Sequence, residues 1–431
     1  MSANEHIVIG ERNELRRQVP FGLSPADRRQ HLYIIGKSGT GKTTLLRNLI
    51  IQDIYAGRAV GVIDPHGDLA EEILAHMPSH RAEDVVYFDP SDSEYCISFN
   101  PIFNVPPDKR HLVCSGIVAA FRDLFPAFWG PRMEYIFSAA VAAVLECQNV
   151  SLLSVQRMLS DAAYRNWIVK QVKDPMVRSF WEDEFENYDK KFLSEAVAPI
   201  QNKLGQVLLS PHLRNIFGQV KGRIDARFMM DNGRIFIANL SKGKLGADKS
   251  NLVGALLVSH FQIAAMSRAD LPEDARHDFN LYIDEFHSFG SDSFAAILSE
   301  ARKYRLSLTL AHQYLSQVSP RVLDAIIGNV GSVVAFRVGH HDAETLQKAL
   351  GGGFRAEDFT SLNNREVYAK LLAYGKDIPP FQGVVPPPLG TRFCRGSTIV
   401  RRSRERYSRL RVSVEAKISK WLGLSQTKRR G

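Results

Sequence analysis

The stretch GKSGTGKT, Gly36 to Thr43, carries the residues best suited to chemistry. It fits G-x-x-x-x-G-K-[S/T]. An apolar run, HLYIIG (31–36), precedes it, and apolar residues at helical spacing follow it: Leu45, Leu46, Leu49, Ile50 and Ile54. Strand, glycine-rich turn and helix in that order wrap backbone N–H groups and the positive end of a helix around a phosphate. Gly36, Lys37, Ser38, Gly39, Thr40 and Gly41 form the turn, and Thr44 closes the stretch. Lys42 reaches the β- and γ-phosphates, and the Thr43 hydroxyl can ligate Mg²⁺. The expected ligands are ATP and Mg²⁺.

A second stretch, FNLYIDEFH (279–287), ends an apolar run in two adjacent acids. Strand side chains alternate faces, so Asp284 and Glu285 are aimed at different targets. A phosphate-binding loop needs a carboxylate at the end of a neighbouring strand to complete the Mg²⁺ shell, which suits Asp284. Hydrolysis through water needs a base or a water-orienting group, which suits Glu285. Downstream, LTLAHQ (308–313) is another apolar run with a polar end, and Gln313 would lie beside the γ-phosphate if that strand neighbours the loop strand. Capping or a core hydrogen bond competes for Gln313. Arg302, in SEARKYRLS (299–307), stands near the end of the helix leading into this strand. Taken alone it reads as a surface residue.

These residues need a sheet to position them. Apolar runs at 31–36, 59–64, 84–90, 233–240, 279–284, 305–311 and 331–338 alternate with helical spacing, as in a parallel sheet covered on both faces. The fold class expected is α/β, with a mainly parallel sheet. Residues 105–225 are rich in helix formers and read as an all-α domain inserted between two strands. The sheet-bearing core is then split into 1–104 and 226–376. A proline-rich linker, 377–390, follows, and then a basic tail, 391–431.

The 431 residues are 45% hydrophobic and 23% charged, ordinary values for a folded chain with a sizeable core. The net charge of +9 is unevenly placed: residues 391–431 hold thirteen Lys or Arg against two Glu, a net +11, leaving about −2 for the rest. Four scattered cysteines, Cys96, Cys114, Cys147 and Cys394, argue against a disulfide framework or structural zinc and for a reducing compartment. No apolar run reaches the ~18 residues of a membrane span, the nearest being Leu252 to Met266 with His260 and Gln262 inside it. The N-terminus is too polar for a signal peptide. A cytoplasmic protein is expected, peripheral at a membrane only through a partner.

Taken together, GKSGTGKTTLL, VIDPHGDL (62–69), FNPI (99–102), WGPRMEYI (129–136), LYIDEFHSF and SEARKYRLSLTLAHQY resemble the HerA/FtsK-type P-loop motors. The closest likeness is to the cytosolic part of conjugative coupling proteins (the TraD/TraG group) and to HerA-like DNA translocases. The resemblance covers about residues 30–350. It implies a RecA-like core that forms a homohexameric ring and pulls DNA through its channel. It also implies that Arg302 serves the ATP of the neighbouring subunit, that Asp64 lies near the nucleotide, and that Arg337 is a second candidate arginine. Only about 30 residues precede the first strand of the core, fewer than the transmembrane helices or β-barrel that such motors usually carry.

In the tail, RRSRERYSRLRVSVEAKISKWLG (401–423), a helix from about Tyr407 puts Leu410, Val414, Ile418 and Trp421 or Leu422 on one stripe. Such a tail suits contact with DNA phosphates, a protein partner or an anionic membrane. A solvated extension is the competing reading. The expected function is an ATP-hydrolysing DNA translocase, with the choice between duplex and single strand open. A secretion motor acting on protein substrates and a nucleotide-gated scaffold are the alternatives.

Overall fold

The computed structural model describes residues 6–289 and 294–423. These divide into two compact units. One comprises the described residues up to Phe88 with Ala226–Ser241 and Ala264–Ser403. The other comprises Asp89–Asp225, Lys242–Ile263 and the described residues from Arg404.

The first unit is built on strands β1 (Ile7–Glu14), β2 (Arg17–Leu23), β3 (Leu32–Ile35), β4 (Ala59–Asp64) and β5 (Val85–Phe88). A short β6 (Tyr95–Ile97) belongs to the second unit. Then come β7 (Ile235–Asn239), β8 (Phe279–Ile283), β9 (Leu306–His312), β10 (Ser332–Ala335) and β11 (Glu366–Lys370). A minor pair, β12 (Leu372–Ala373) and β13 (Lys376–Asp377), precedes β14 (Phe381–Val384). The main sheet has the order β2-β1-β14-β11-β10-β3-β9-β8-β4-β7-β5. From β10 to β5 every pairing is parallel. The strands β11, β14, β1 and β2 extend it in antiparallel fashion.

The parallel strands are apolar throughout because both faces are covered. Ile34, Val60 and Val62 pack in one core with Leu45, Leu46, Leu49, Ile50 and Ile54 of the helix Lys42–Tyr55. Burying each such side chain contributes about 1.5–3 kcal/mol. Since β3, β4, β7, β8, β9 and β10 run parallel, their C-terminal ends share one edge of the sheet. Gly36, Asp64, Asn239, Asp284, Gln313 and Arg337 are carried there.

Behind this edge the helix Lys42–Tyr55 is pinned to β8 by a buried charge cluster. Arg28 donates from Nη1 and Nη2 to the two carboxylate oxygens of Asp53, at 2.7 and 2.8 Å, and from Nη2 to Tyr282 Oη at 2.8 Å. Tyr282 in turn donates to Asp53 Oδ2 at 2.6 Å, and Arg58 to Oδ1 at 3.0 Å. Burial alone would raise the Asp53 carboxyl; the Arg28 charge and these hydrogen bonds outweigh it and hold the carboxyl below its usual 3.8. Its stabilisation is therefore present above that pH and is lost as pH falls below it. Arg28→Met is expected to cost about 3–5 kcal/mol, because it strands a buried carboxylate. The double variant Arg28→Met/Asp53→Leu should recover much of that loss in urea unfolding, and a double variant as unstable as the single would contradict the assignment.

The proline-rich stretch expected to be a linker is instead part of this sheet. β14 lies between β1 and β11, paired at Glu11↔Val384 and Val367↔Gly383. Its prolines flank the strand and leave Phe381–Val384 free to pair.

In the second unit, helices Arg110–Leu124, Pro131–Leu145, Leu152–Ser160, Ala162–Val169, Lys190–Leu208 and Pro211–Phe217 follow one another. Phe121 meets Phe137 edge-on at 5.2 Å, and Trp181 donates to the Ala139 carbonyl. The tail residues are not a free arm. Ile399, in the helix Gly396–Tyr407, joins the core of the first unit. β15 (Ser408–Leu410) pairs antiparallel with β6. The following helix, Arg411–Trp421, buries Val414 and Ile418 in the second unit, so half of the expected docking stripe is packed inside the chain. Arg157 lies over the Trp421 ring at 5.0 Å. Residues 424–431 fall outside the described residues.

One helix among the described residues, Ala247–Asp270, is long and apolar enough to cross a membrane. Its Leu252, Val253, Leu256, Leu257 and Phe261 are buried, as in a core helix.

Candidate nucleotide site

The loop between β3 and the helix Lys42–Tyr55 is shaped by its own backbone. Gly41 has φ 120°, which turns the chain into the helix in a conformation that a side chain would strain. Gly36 passes so close to Phe336 that a Cβ would stand 2.5 Å from the Phe336 Cβ. The Thr40 hydroxyl donates to the Lys37 carbonyl at 2.7 Å. Neighbouring strands clamp the loop: Lys37 N–H donates to the Arg337 carbonyl, Gly36 N–H to the His312 carbonyl, and Arg365 N–H to the Thr40 carbonyl. Lys42 Nζ reaches back into the loop, 2.6 Å from the Gly36 carbonyl and 3.1 Å from that of Lys37. An ammonium resting on two carbonyls is in place to transfer to a phosphate. Lys37, Ser38, Gly39 and Thr43 are exposed, and Thr44 is half-buried.

Asp284 and Glu285 are both nearly buried, at 5% and 7% exposure. They are not on a strand adjacent to β3, as the sequence suggested: β9 lies between β3 and β8. Burial lowers the Lys42 pKa, while Glu285 and Asp284 oppose that shift by favouring its charge. The Asp284 carboxyl is pushed up to about 7, first by burial, then by the charges of Asp64 and Glu285; the Glu285 N–H and Lys42 pull it down only in part. Glu285 adopts a left-handed backbone, φ 44° and ψ 47°. That conformation is uncommon outside glycine.

Gln313 lies just past β9, next to the loop strand, and its side-chain amide donates to Glu285 Oε1 at 2.8 Å. The structure thus brings together Lys42, Asp284, Glu285 and Gln313. Asp64 is at the same edge, but its oxygens accept the N–H groups of His66 at 2.8 Å and Ala70 at 2.9 Å. Asp64 is buried, and its charge acts on Asp284. Arg337 donates to the Leu362 carbonyl at 3.3 Å.

Arg302 is elsewhere. It is exposed, in the turn Ala301–Tyr304 just before β9 begins, and its charge lowers the pKa of His31 at the start of β3, where burial is the larger cause. The seven residues of β9 span roughly 20 Å, so Arg302 and Gln313 stand at opposite edges of the sheet.

Sequence reasoning missed His287, Gln317 and His312. His287 Nδ1 lies 3.3 Å from Glu285 Oε2, and Gln317 Nε2 lies 3.3 Å from His287 Nε2. His312 is hydrogen-bonded to the Tyr33 hydroxyl, and its pKa is lowered to about 3 by burial, then by His287 and Lys42, so it stays neutral. A histidine inside an apolar strand directly before Gln313 was the available signal.

Among the described residues no group of three or more His, Cys, Asp or Glu could hold a metal by itself. Mg²⁺ at a nucleotide site is held by one or two side chains together with the phosphates. Thr43 and Asp284 are of the right chemistry.

No curated protein matches the sequence. The fold is similar to the bacterial conjugative coupling protein TrwBdeltaN70 in its unbound monoclinic form, at 15% identity and TM-score 0.63, over 87% of this chain and 89% of that one. The structure of TrwB with ADP and Mg²⁺ matches at 16% identity and TM-score 0.59, over 86% and 88%. VirB4 of Thermoanaerobacter pseudethanolicus matches at 13% identity and TM-score 0.61, over 90% and 98%. The family model described as helicase HerA, central domain, matches residues 7–260, and the chain belongs to that family.

Proposed function

We propose that this chain is a Mg²⁺-dependent ATPase that moves DNA as a ring of identical subunits, six by likeness to such motors. One observation carries the reading: Gln313 bridges from the strand beside the phosphate loop to the second of two buried acids, opposite Lys42. A site that only binds nucleotide has no need of that second acid. Binding of ADP with Mg²⁺ by TrwB, which shares the fold, supports the choice of ligand.

In this reading the loop Gly36–Thr44 holds the phosphates, and Lys42 leaves the Gly36 and Lys37 carbonyls to reach them. Thr43 and Asp284 would hold Mg²⁺, which when bound offsets the charge building on the phosphates. Glu285 takes the proton of the attacking water. Gln313 reads the γ-phosphate through its contact with Glu285, and Arg302 serves a neighbouring subunit.

Asp284 makes the affinity pH-dependent. Its carboxyl, at about 7, must ionise to hold a cation, so Mg·ATP binding releases a proton. Affinity is expected to rise with pH and, below 7, to fall by up to about tenfold per unit. Asp284→Asn should flatten that slope. Calorimetric titration in buffers of different ionisation heat measures the released proton, and a pH-independent wild-type affinity would contradict the assignment.

The test of function is steady-state ATP hydrolysis with linear duplex DNA, single-stranded DNA or none, beside Glu285→Gln. Stimulation by one DNA form, lost in the variant, supports the motor and names its substrate. A rate indifferent to DNA yet lost in the variant would overturn the DNA reading and point to a protein motor or a scaffold.

A further inference from the structure

We propose that His287 is a positioning residue for Glu285, held in its Nδ1–H tautomer by Gln317. The inference rests on the reading of Glu285 as the base.

The tautomer follows from donors and acceptors. The Gln317 side-chain oxygen accepts the N–H groups of Gln313 at 3.0 Å and Tyr314 at 3.1 Å. Two backbone donors on one atom fix which end of the amide is oxygen. The other end, an NH₂ that can only donate, faces His287 Nε2 at 3.3 Å. Nε2 must then present its lone pair, which places the ring proton on Nδ1. Nδ1 faces Glu285 Oε2 at 3.3 Å. Oε2 is buried, and no hydrogen bond of full geometry reaches it. Catalytic hydrogen bonds of this length tighten in the complex with substrate.

The four residues close a ring. Gln313 holds Glu285 Oε1 with its side chain and Gln317 with its backbone; Gln317 fixes His287; His287 faces Oε2. The turn that presents His287 is anchored by Phe286 and Phe289, both buried. Glu285 Oε1 accepts from Gln313 and Oε2 has His287 Nδ1 3.3 Å away, which orients the carboxylate and leaves it able to accept a proton. A shift of the loop that carries Gln313 would move the donor to Oε1 and disturb the Gln317 contact to His287.

Three substitutions separate positioning from support of the turn. His287→Asn puts an amide N–H close to where Nδ1–H stood, His287→Gln puts it where Nε2 stood, and His287→Ala removes it. His287→Ala is expected to lower kcat by about 10–100-fold with unchanged nucleotide affinity. Asn should restore kcat to within a few-fold, and Gln should not. In ¹⁵N-histidine-labelled protein the signals lost in the Ala variant should belong to a ring protonated at Nδ1. Wild-type kcat in His287→Ala, an Asn variant as slow as Ala, equal losses of kcat and affinity, or an Nε2–H ring would each overturn the proposal. Absence of hydrolysis by the wild type would instead overturn the ATPase reading, and the labelled spectrum would still report the tautomer.

Discussion

Glu285→Gln is expected to lower ATP hydrolysis by about 10²–10⁴-fold while nucleotide binding survives. The substitution keeps size and shape, and an amide oxygen can still accept from Gln313, which now donates to Glu285 Oε1 at 2.8 Å. What disappears is the ability to take a proton. The charge balance should favour the folded variant, since Glu285 is one of the groups that push the Asp284 carboxyl up to about 7. Without that neighbour Asp284 ionises more readily, so Mg·ATP affinity near neutral pH should stay the same or rise. A fall in kcat with equal or tighter binding marks an interaction made only in the transition state. Asp284→Asn should do the opposite, weakening the Mg²⁺-dependent part of binding first. Single-turnover hydrolysis and a fluorescent-nucleotide titration check both. A Gln variant within threefold of wild type would remove Glu285 from the reaction.

The sequence made β3, β4, β5, β7, β8, β9 and β10 legible for one reason: strands buried on both faces are almost wholly apolar, and the motif residues sit at their ends. Strand order was less legible. That β9 separates β3 from β8 is a long-range pairing, and no local pattern encodes it. The antiparallel extension was hidden because its strands lie towards one edge of the sheet, where polar residues and prolines are tolerated. β1 reads IVIGERNE and β2 RQVPFGL, and neither resembles an apolar core strand. In the tail the helical stripe of Val414 and Ile418 was visible, but a stripe does not say what covers it. The site divides in the same way. Lys42, Asp284 and Glu285 follow from motif spacing. The alternation expected of the two acids does not hold, because β8 ends at Ile283 and both lie in the turn beyond it. His287 and Gln317 act through a turn whose shape depends on the left-handed backbone at Glu285, and spacing alone does not reveal it.

If the chain works as a ring, Arg302→Ala is expected to lower ATP hydrolysis by about 10³–10⁵-fold, and the loss should be repairable by another subunit. The geometry rules out action within one chain. Arg302 precedes β9, the phosphate loop follows β3, and the two strands run parallel, so the guanidinium and Lys42 lie at opposite edges of one sheet. If Arg302 meets a γ-phosphate, that phosphate is bound to another copy, and a head-to-tail ring is the closed assembly that offers every site such a neighbour. Mixing tests this directly. Arg302→Ala keeps an intact loop and Lys42→Ala keeps an intact arginine, and each alone should be inactive. Assembled together in equal amounts, about a quarter of the interfaces should pair an intact loop with an intact arginine, and activity should reappear. Arg302→Lys should remain impaired, because an ammonium lacks the planar fork of the guanidinium. A fully active Arg302→Ala would remove the arginine from catalysis. An inactive mixture, shown by mass to contain both variants in one assembly, would confine its effect to its own chain, where its charge acts on His31 at the start of β3.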